Sequence, residues 1–372
     1  MNRHTIPLGR IRGIPIGLDY SWFLIFALIT WTMAVGYYPA EFKHWPITQY
    51  WLVAAATAVM IFVSVLLHEL GHSLVAMHYK IRVRSITLFI FGGISEIGTE
   101  PPTASAGFWI AIAGPAVSFG LAVLFGFSLS VIIGVEPLFA LVKYLAYINF
   151  ALGLFNLVPG FPLDGGGVFR AVVWCMTGNM RRATLIAASL GRFIAYLFIF
   201  FGVWQMLGGN LVNGMWIAFI GWFLESAARG QAQKFALQDI LTGHKVSQAM
   251  NRQYTTIPAD TTVQRLVDDH ILGGGRRSFI VERGNKAVGL LTLHQIKDVP
   301  RSEWPTTTIT EFMIPLDKAT QVRPDAELWT ALDEMDRDGV NQLPVMVDGK
   351  IQGMLAREDI ISYLSILQEF GA

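Results

Sequence analysis

Six apolar segments, at roughly 21–38, 50–77, 108–133, 138–158, 190–207 and 211–228, dominate the first 228 residues of a 372-residue chain. Each approaches the ~20 residues that a helix needs to cross about 30 Å of hydrocarbon. Water is absent there, so only helices and closed barrels satisfy their own backbone amides. The pattern predicts a polytopic α-helical membrane domain of about six spans over residues 1–230. With 53% hydrophobic and 15% charged residues, the chain is too apolar for an ordinary soluble protein. Beyond Ala228 charged residues become frequent and no span-length run remains. A linker at 231–245 is expected to lead into a polar portion. The formal net charge of +1 gives no basic excess of the kind that nucleic acid requires, so no such partner is expected. Cys175 is the only cysteine, which excludes an intrachain disulfide and a cysteine-based zinc cluster.

Cations fall on alternate loops. Arg3, Arg10 and Arg12 precede the first span, Lys80, Arg82 and Arg84 follow the second, Arg170, Arg181 and Arg182 follow the fourth, and Arg229 and Lys234 follow the sixth. The opposite loops carry Lys43 and the adjoining Lys143. By the positive-inside rule both termini and the polar portion face the cytoplasm of a multi-pass cell-membrane protein. The opening "MNRHTIPLGRIRGIPIGLDYSW" has no small-residue cleavage site after a short apolar stretch, and reads as a cytoplasmic leader into the first span.

The second span ends in "SVLLHELGHSLVAMH", residues 64–78. Ionisable groups inside a membrane are costly and mark function by default. His68 lies about 17 residues after Trp51, or about 25 Å along a helix, inside the bilayer near its cytoplasmic side. Four residues apart, His68 and His72 share a helix face and can hold one metal, while Glu69 can take a proton from metal-activated water. Zinc suits such ligands and leaves one position open. A third ligand must come from elsewhere: His78, Glu96, Glu100 or Asp164. The last sits in "NLVPGFPLDGGGVFRA", residues 156–171, where Pro159 and Pro162 break a helix. Irregular backbone survives at membrane depth only where protein or water covers it, and a metal removes the cost of the carboxylate. Asn156 offers an amide to a developing oxyanion. Gly92 and Gly93 lie within "SITLFIFGGISEI", residues 85–97, which reads as a hairpin whose edge pairs with an extended substrate.

Together, HELGH in a membrane helix and N-x-x-P-x-x-P-x-D-G two spans later resemble the site-2 protease family of intramembrane zinc metalloproteases. "AGPAVSFGL" at 113–121 is similar to that family's Ala-Gly-Pro element. The resemblance covers roughly residues 10–230. It implies His68, His72 and Asp164 as ligands of one Zn2+, Glu69 as catalytic base and Asn156 as a substrate-contacting residue. It also implies hydrolysis of peptide bonds in or near the transmembrane segments of single-pass membrane proteins.

Residues 246–363 repeat internally: "TTIPADTTVQRLVDDHI" aligns with "TQVRPDAELWTALDEMD", and "FIVERGNKAVGLLTLHQI" with "PVMVDGKIQGMLAREDI". Each copy predicts an amphipathic helix, a hairpin and a final helix, so an α+β fold. The repeat resembles tandem cystathionine-β-synthase (CBS) modules, placed at 246–300 and 309–372. These imply regulation, adenine nucleotide such as ATP as a ligand, and pairing into a homodimer. The family signature, Gly-x-x-Thr/Ser-x-x-Asp, is split: Gly289 and Thr292 lead to Gln295, whereas Gly353 and Ala356 lead to Asp359. Thr292 and Asp359 are the expected ligand contacts, with the Gly273–Arg277 loop offering phosphate binding. The alternative reading is a transporter or channel gated by CBS modules. It predicts paired broken helices, where this chain has one broken region.

Overall fold

The computed structural model describes residues 5–370 apart from 133, 274–276, 285 and 298, so most of the Gly273–Arg277 loop lies outside the described residues. The chain forms two compact units, Met1–Lys234 and Phe235–Ala372.

In the first unit, β1 (Thr5–Ile11) and β2 (Ile14–Asp19) precede α1 (Ser21–Thr32), which continues through a π-helical turn into α2 (Tyr38–Glu41). Then come α3 (Ile47–His78), β3 (Val83–Phe89), β4 (Gly92–Ile97), α4 (Ala104–Ser128), α5 (Glu136–Asn156), α6 (Asp164–Thr177), α7 (Met180–Leu207) and α8 (Leu211–Leu241). Among the described residues six helices, counting Ser21–Glu41 as one, are long and apolar enough to cross a membrane. The fifth begins at Met180, ten residues before the expected start, because Asn179 caps it by accepting from the Arg182 amide. Apolarity alone places its start beyond Arg181 and Arg182. Helix α6 has 14 residues and spans only about 21 Å, too short to cross. Residues 231–241 of the expected linker are helical.

The expected hairpin at 85–97 is β3 and β4, but it belongs to a four-stranded sheet in the order β1-β2-β3-β4. The stretch read as a leader supplies β1 and β2. Arg12 and Gly13 have φ of 49° and 85°, the left-handed pair that a tight hairpin turn requires. Strand β2 pairs in parallel with β3, from Ile16 opposite Ile86 to Leu18 opposite Leu88. Ile14 and Ile86 bury themselves against Leu70, Ala76 and Ile110, so the sheet covers the end of α3 that carries the histidines.

Glycines set the closest approaches. A Cβ on Gly191 of α7 would meet the Phe161 carbonyl oxygen at 2.1 Å, and one on Gly160 would meet the Gly191 Cα at 2.5 Å. The Pro/Gly turn between α5 and α6 therefore seats directly on α7, as small residues allow in lipid.

The second unit contains α9 (Val246–Ala249), β5 (Thr256–Pro258), α10 (Val263–Arg265) running on into a π-helical stretch, β6 (Ser278–Arg283), β7 (Lys286–Thr292), α11 (Leu293–Ile296) and β8 (Ile314–Pro315). The second copy continues with α12 (Leu328–Asp338), β9 (Gln342–Val347), β10 (Lys350–Ala356) and α13 (Arg357–Glu369). Leu328, Ala331, Leu332 and Met335 form the buried stripe of α12 at helical spacing. Ile280, Leu290 and Met354 pack together and join the two copies.

Replacing Gly191 with Leu is expected to lower the midpoint of thermal unfolding, since overpacking costs about 1–3 kcal/mol or more. Gly120→Leu, where a Cβ meets nothing within 4 Å, is expected to leave it unchanged; parallel melts of the purified variants check both.

Candidate metal centre

Helix α3 presents His68 and His72 on one buried face, 4% and 7% exposed. Their outward nitrogens are engaged. His72 Nδ1 donates to the Ile110 carbonyl at 2.7 Å, which fixes its tautomer and leaves the Nε2 lone pair free to bind. His68 Nδ1 lies 2.9 Å from Ser118 Oγ. Both Nε2 atoms then converge, 3.2 Å apart. Asp164, the first residue of α6, brings Oδ2 to 3.0 Å from His68 Nε2 and 3.3 Å from His72 Nε2. Among the described residues these three are the group of histidine, cysteine and acidic side chains placed to hold a metal ion.

The dimensions fit zinc. Tetrahedral ligands at bond lengths of about 2.0–2.1 Å stand about 3.3 Å apart, close to the three separations above. The space before the triad is kept open by Gly114 of α4, where a Cβ would lie 2.1 Å from His72 Nε2 and 2.6 Å from His68 Nε2. Gly71 of α3 admits α4, its absent Cβ standing 3.0 Å from the Ala113 carbonyl oxygen. Gly165 and Gly166 let α6 start under the preceding turn: a Cβ on either would meet backbone at 2.3 or 2.4 Å. Nothing periodic in the sequence reveals these contacts, although the D-G-G-G run and the Ala-Gly-Pro element both mark them.

The other expected residues divide. Glu69, half-buried, lies beneath β4: Ser95 Oγ donates to its Oε2 at 2.5 Å, and a Cβ on Gly93 would meet its Cγ at 2.6 Å. Gly93 therefore faces the glutamate. Gly92, at φ 131°, opens the strand. Asn156 closes α5, half-buried, at the head of the turn leading to Asp164. Glu96 accepts from Ser85 Oγ at 3.1 Å, and Glu100 pairs with Arg170 at 3.0 Å. The His78 ring stands against Tyr79 at the end of α3. Arg170 also lies over the Phe161 ring, at 5.7 Å, and so ties α6 to its own turn.

In the second unit, Thr292 lines a cavity of about 590 Å³ with Arg277, His294, Lys297 and Arg357. Asp359 lines a smaller one of about 210 Å³ with Tyr254, Thr255 and Ser278. The two halves of the split signature thus serve different cavities, and each also works locally. Gln295 accepts from the Thr292 amide, and Asp359 accepts from the Ala356 amide, both at 2.7 Å, capping the helices that follow. Burial pushes the Asp359 carboxyl above its ordinary value.

Comparison with known proteins agrees with this architecture. The model of Peptidase family M50 matches residues 56–140 and 135–200, and that of the CBS domain matches 246–301 and 309–366. Rip3 of Mycobacterium tuberculosis is 35% identical over 98% of this chain and 94% of its own. Zinc metalloprotease MJ0392 of Methanocaldococcus jannaschii is 28% identical over 98% of this chain and 97% of its own. The solved site-2 protease of that archaeon is 28% identical, covering 61% of this chain and 95% of the other with a TM-score of 0.43. The family models and the full-length relatives decide against the transporter or channel reading: the chain belongs to peptidase family M50, the site-2 proteases, and is a multi-pass membrane zinc metalloprotease with a C-terminal pair of CBS domains.

Proposed function

We propose that the enzyme hydrolyses peptide bonds in or near the transmembrane segments of single-pass membrane proteins, using one Zn2+ held by His68, His72 and Asp164. One observation carries this reading: two buried histidines and a half-buried aspartate from two separated helices, with zinc-like separations, opposite a glycine whose side chain would fill the space. Zinc held there supplies Lewis acidity, acidifying water and polarising a carbonyl at neutral pH. Glu69 takes a proton from the attacking water onto its carboxylate and returns it to the departing amine nitrogen, so the base ends as it began. Asn156 donates its amide to the oxyanion that develops on the substrate carbonyl. A helical substrate cannot present that carbonyl, because its oxygen is engaged four residues on. An extended segment added to the outer edge of β4, which pairs with no further strand among the described residues, holds the chain unwound at Gly92 and Gly93. The cation distribution orients both termini, and the CBS pair, toward the cytoplasm.

The second unit regulates this activity, with adenine nucleotide as the ligand of its cavities and a homodimer formed through the same modules. Arg277, Lys297 and Arg357 supply charge for phosphate, His294 a ring N–H, and Asp359 a carboxylate for ribose hydroxyls.

Three outcomes are expected. Glu69→Gln lowers the cleavage rate of a co-reconstituted membrane substrate by about 10²–10⁴-fold while metal analysis still finds near one zinc per chain; unchanged cleavage removes Glu69 as the base. Asp164→Ala and Gly114→Ala both lose zinc on dialysis, the first by removing a ligand and the second by filling its place; full occupancy in both would move the metal elsewhere. Equilibrium dialysis of the intact detergent-solubilised enzyme retains radiolabelled ATP, and Asp359→Ala weakens that retention; no retention by the unmodified protein leaves the modules a purely structural role.

A further inference from the structure

Strand β4 does more to the site than cover it. Gly93 and Ser95 stand two residues apart on it, hence on one face, and both meet Glu69 of α3. Residues on the other face look elsewhere: Ile94 is half exposed, and Glu96 accepts from Ser85. Three polar atoms surround Ser95 Oγ. It lies 2.5 Å from Glu69 Oε2, 3.4 Å from the Glu69 carbonyl oxygen and 3.4 Å from Ser73 Oγ. Ser73, fully buried one helical turn beyond Glu69, donates to Ser95 Oγ. With its oxygen so engaged, the Ser95 hydroxyl proton points to the shortest of its contacts, the carboxylate Oε2. The other carboxylate oxygen, Oε1, lies beside the bare Cα of Gly93, where a Cβ would stand only 3.4 Å away.

We infer that Ser95 is a positioning residue for the catalytic base: it pins Oε2 of Glu69, so that Oε1 is the oxygen that takes and returns the proton. No atom is gained or lost at Ser95, which keeps its own hydroxyl proton throughout. Because Ser95 stands on β4, whose outer edge carries no strand among the described residues, the seat of the substrate and the bracket of the base are one strand. The inference rests on Glu69 being the base and deepens that reading.

Its test is a steady-state comparison in proteoliposomes. Ser95→Ala is expected to lower kcat about tenfold, the loss that goes with one hydrogen bond to a charged group, with KM and zinc content unchanged. Ser95→Thr, which keeps the hydroxyl, restores most of the rate. Ser95→Cys keeps the volume but has only a weak donor; it carries the expectation of Ser95→Ala and replaces it if the alanine protein does not accumulate. A kcat within twofold of the unmodified enzyme in the variants lacking the hydroxyl overturns the inference, as does a loss that appears in KM or in bound zinc. The two readings fail separately. Full activity in Glu69→Gln removes the base itself, whereas an inactive Glu69→Gln beside a fully active Ser95→Ala removes only the bracket.

Discussion

A carboxylate and two imidazoles share a space deep among apolar helices, and that juxtaposition organises everything packed around it. Unpaired, such groups would be among the most expensive in the molecule. Here each has a partner on every side that matters. The imidazoles spend their outer nitrogens on Ser118 and on the Ile110 carbonyl, and Asp164 faces both inner ones. Gly114 withholds a side chain where the proposed zinc ion would sit, and the Gly160–Gly191 contact clamps the turn that delivers Asp164. The surrounding glycines answer that one demand: Gly114 leaves room beside the imidazoles, and Gly160, Gly165, Gly166 and Gly191 let backbone come close enough to hold the Asp164 turn in place.

Much of this was legible in the chain itself. Hydrophobic run length revealed the six spans, and the spacing of His68 and His72 revealed a shared helix face. What periodicity could not supply was partnership across the fold. Asp164 lies 96 residues from His68, and its helix-breaking Pro/Gly turn, followed by the resemblance to a family, favoured it over Glu96, Glu100 and His78. Gly114 and Ser95 went unread for the same reason, because their importance lies in contacts with another element. The first hairpin escaped for a different reason. Its prolines and glycines suppress ordinary strand signals, and its turn depends on a left-handed arginine, which no propensity favours.

The second unit illustrates how a repeat can diverge without losing its frame. Both copies keep a strand pair followed by a helix, and both keep a residue that caps that helix from its third position, Gln295 in one and Asp359 in the other. Capping needs only an acceptor, and glutamine and aspartate both provide one. Contact with a ligand asks for more, so the fold tolerates exchanges that would change what each cavity holds.

Ser118 and Ile110 orient the two histidines by unlike means. One acts through a hydroxyl that a single codon change deletes; the other acts through a peptide oxygen that every amino acid possesses. Drift at position 110 is therefore silent for the ring it steadies, provided the helix keeps its path, whereas position 118 is answerable to selection in its own right.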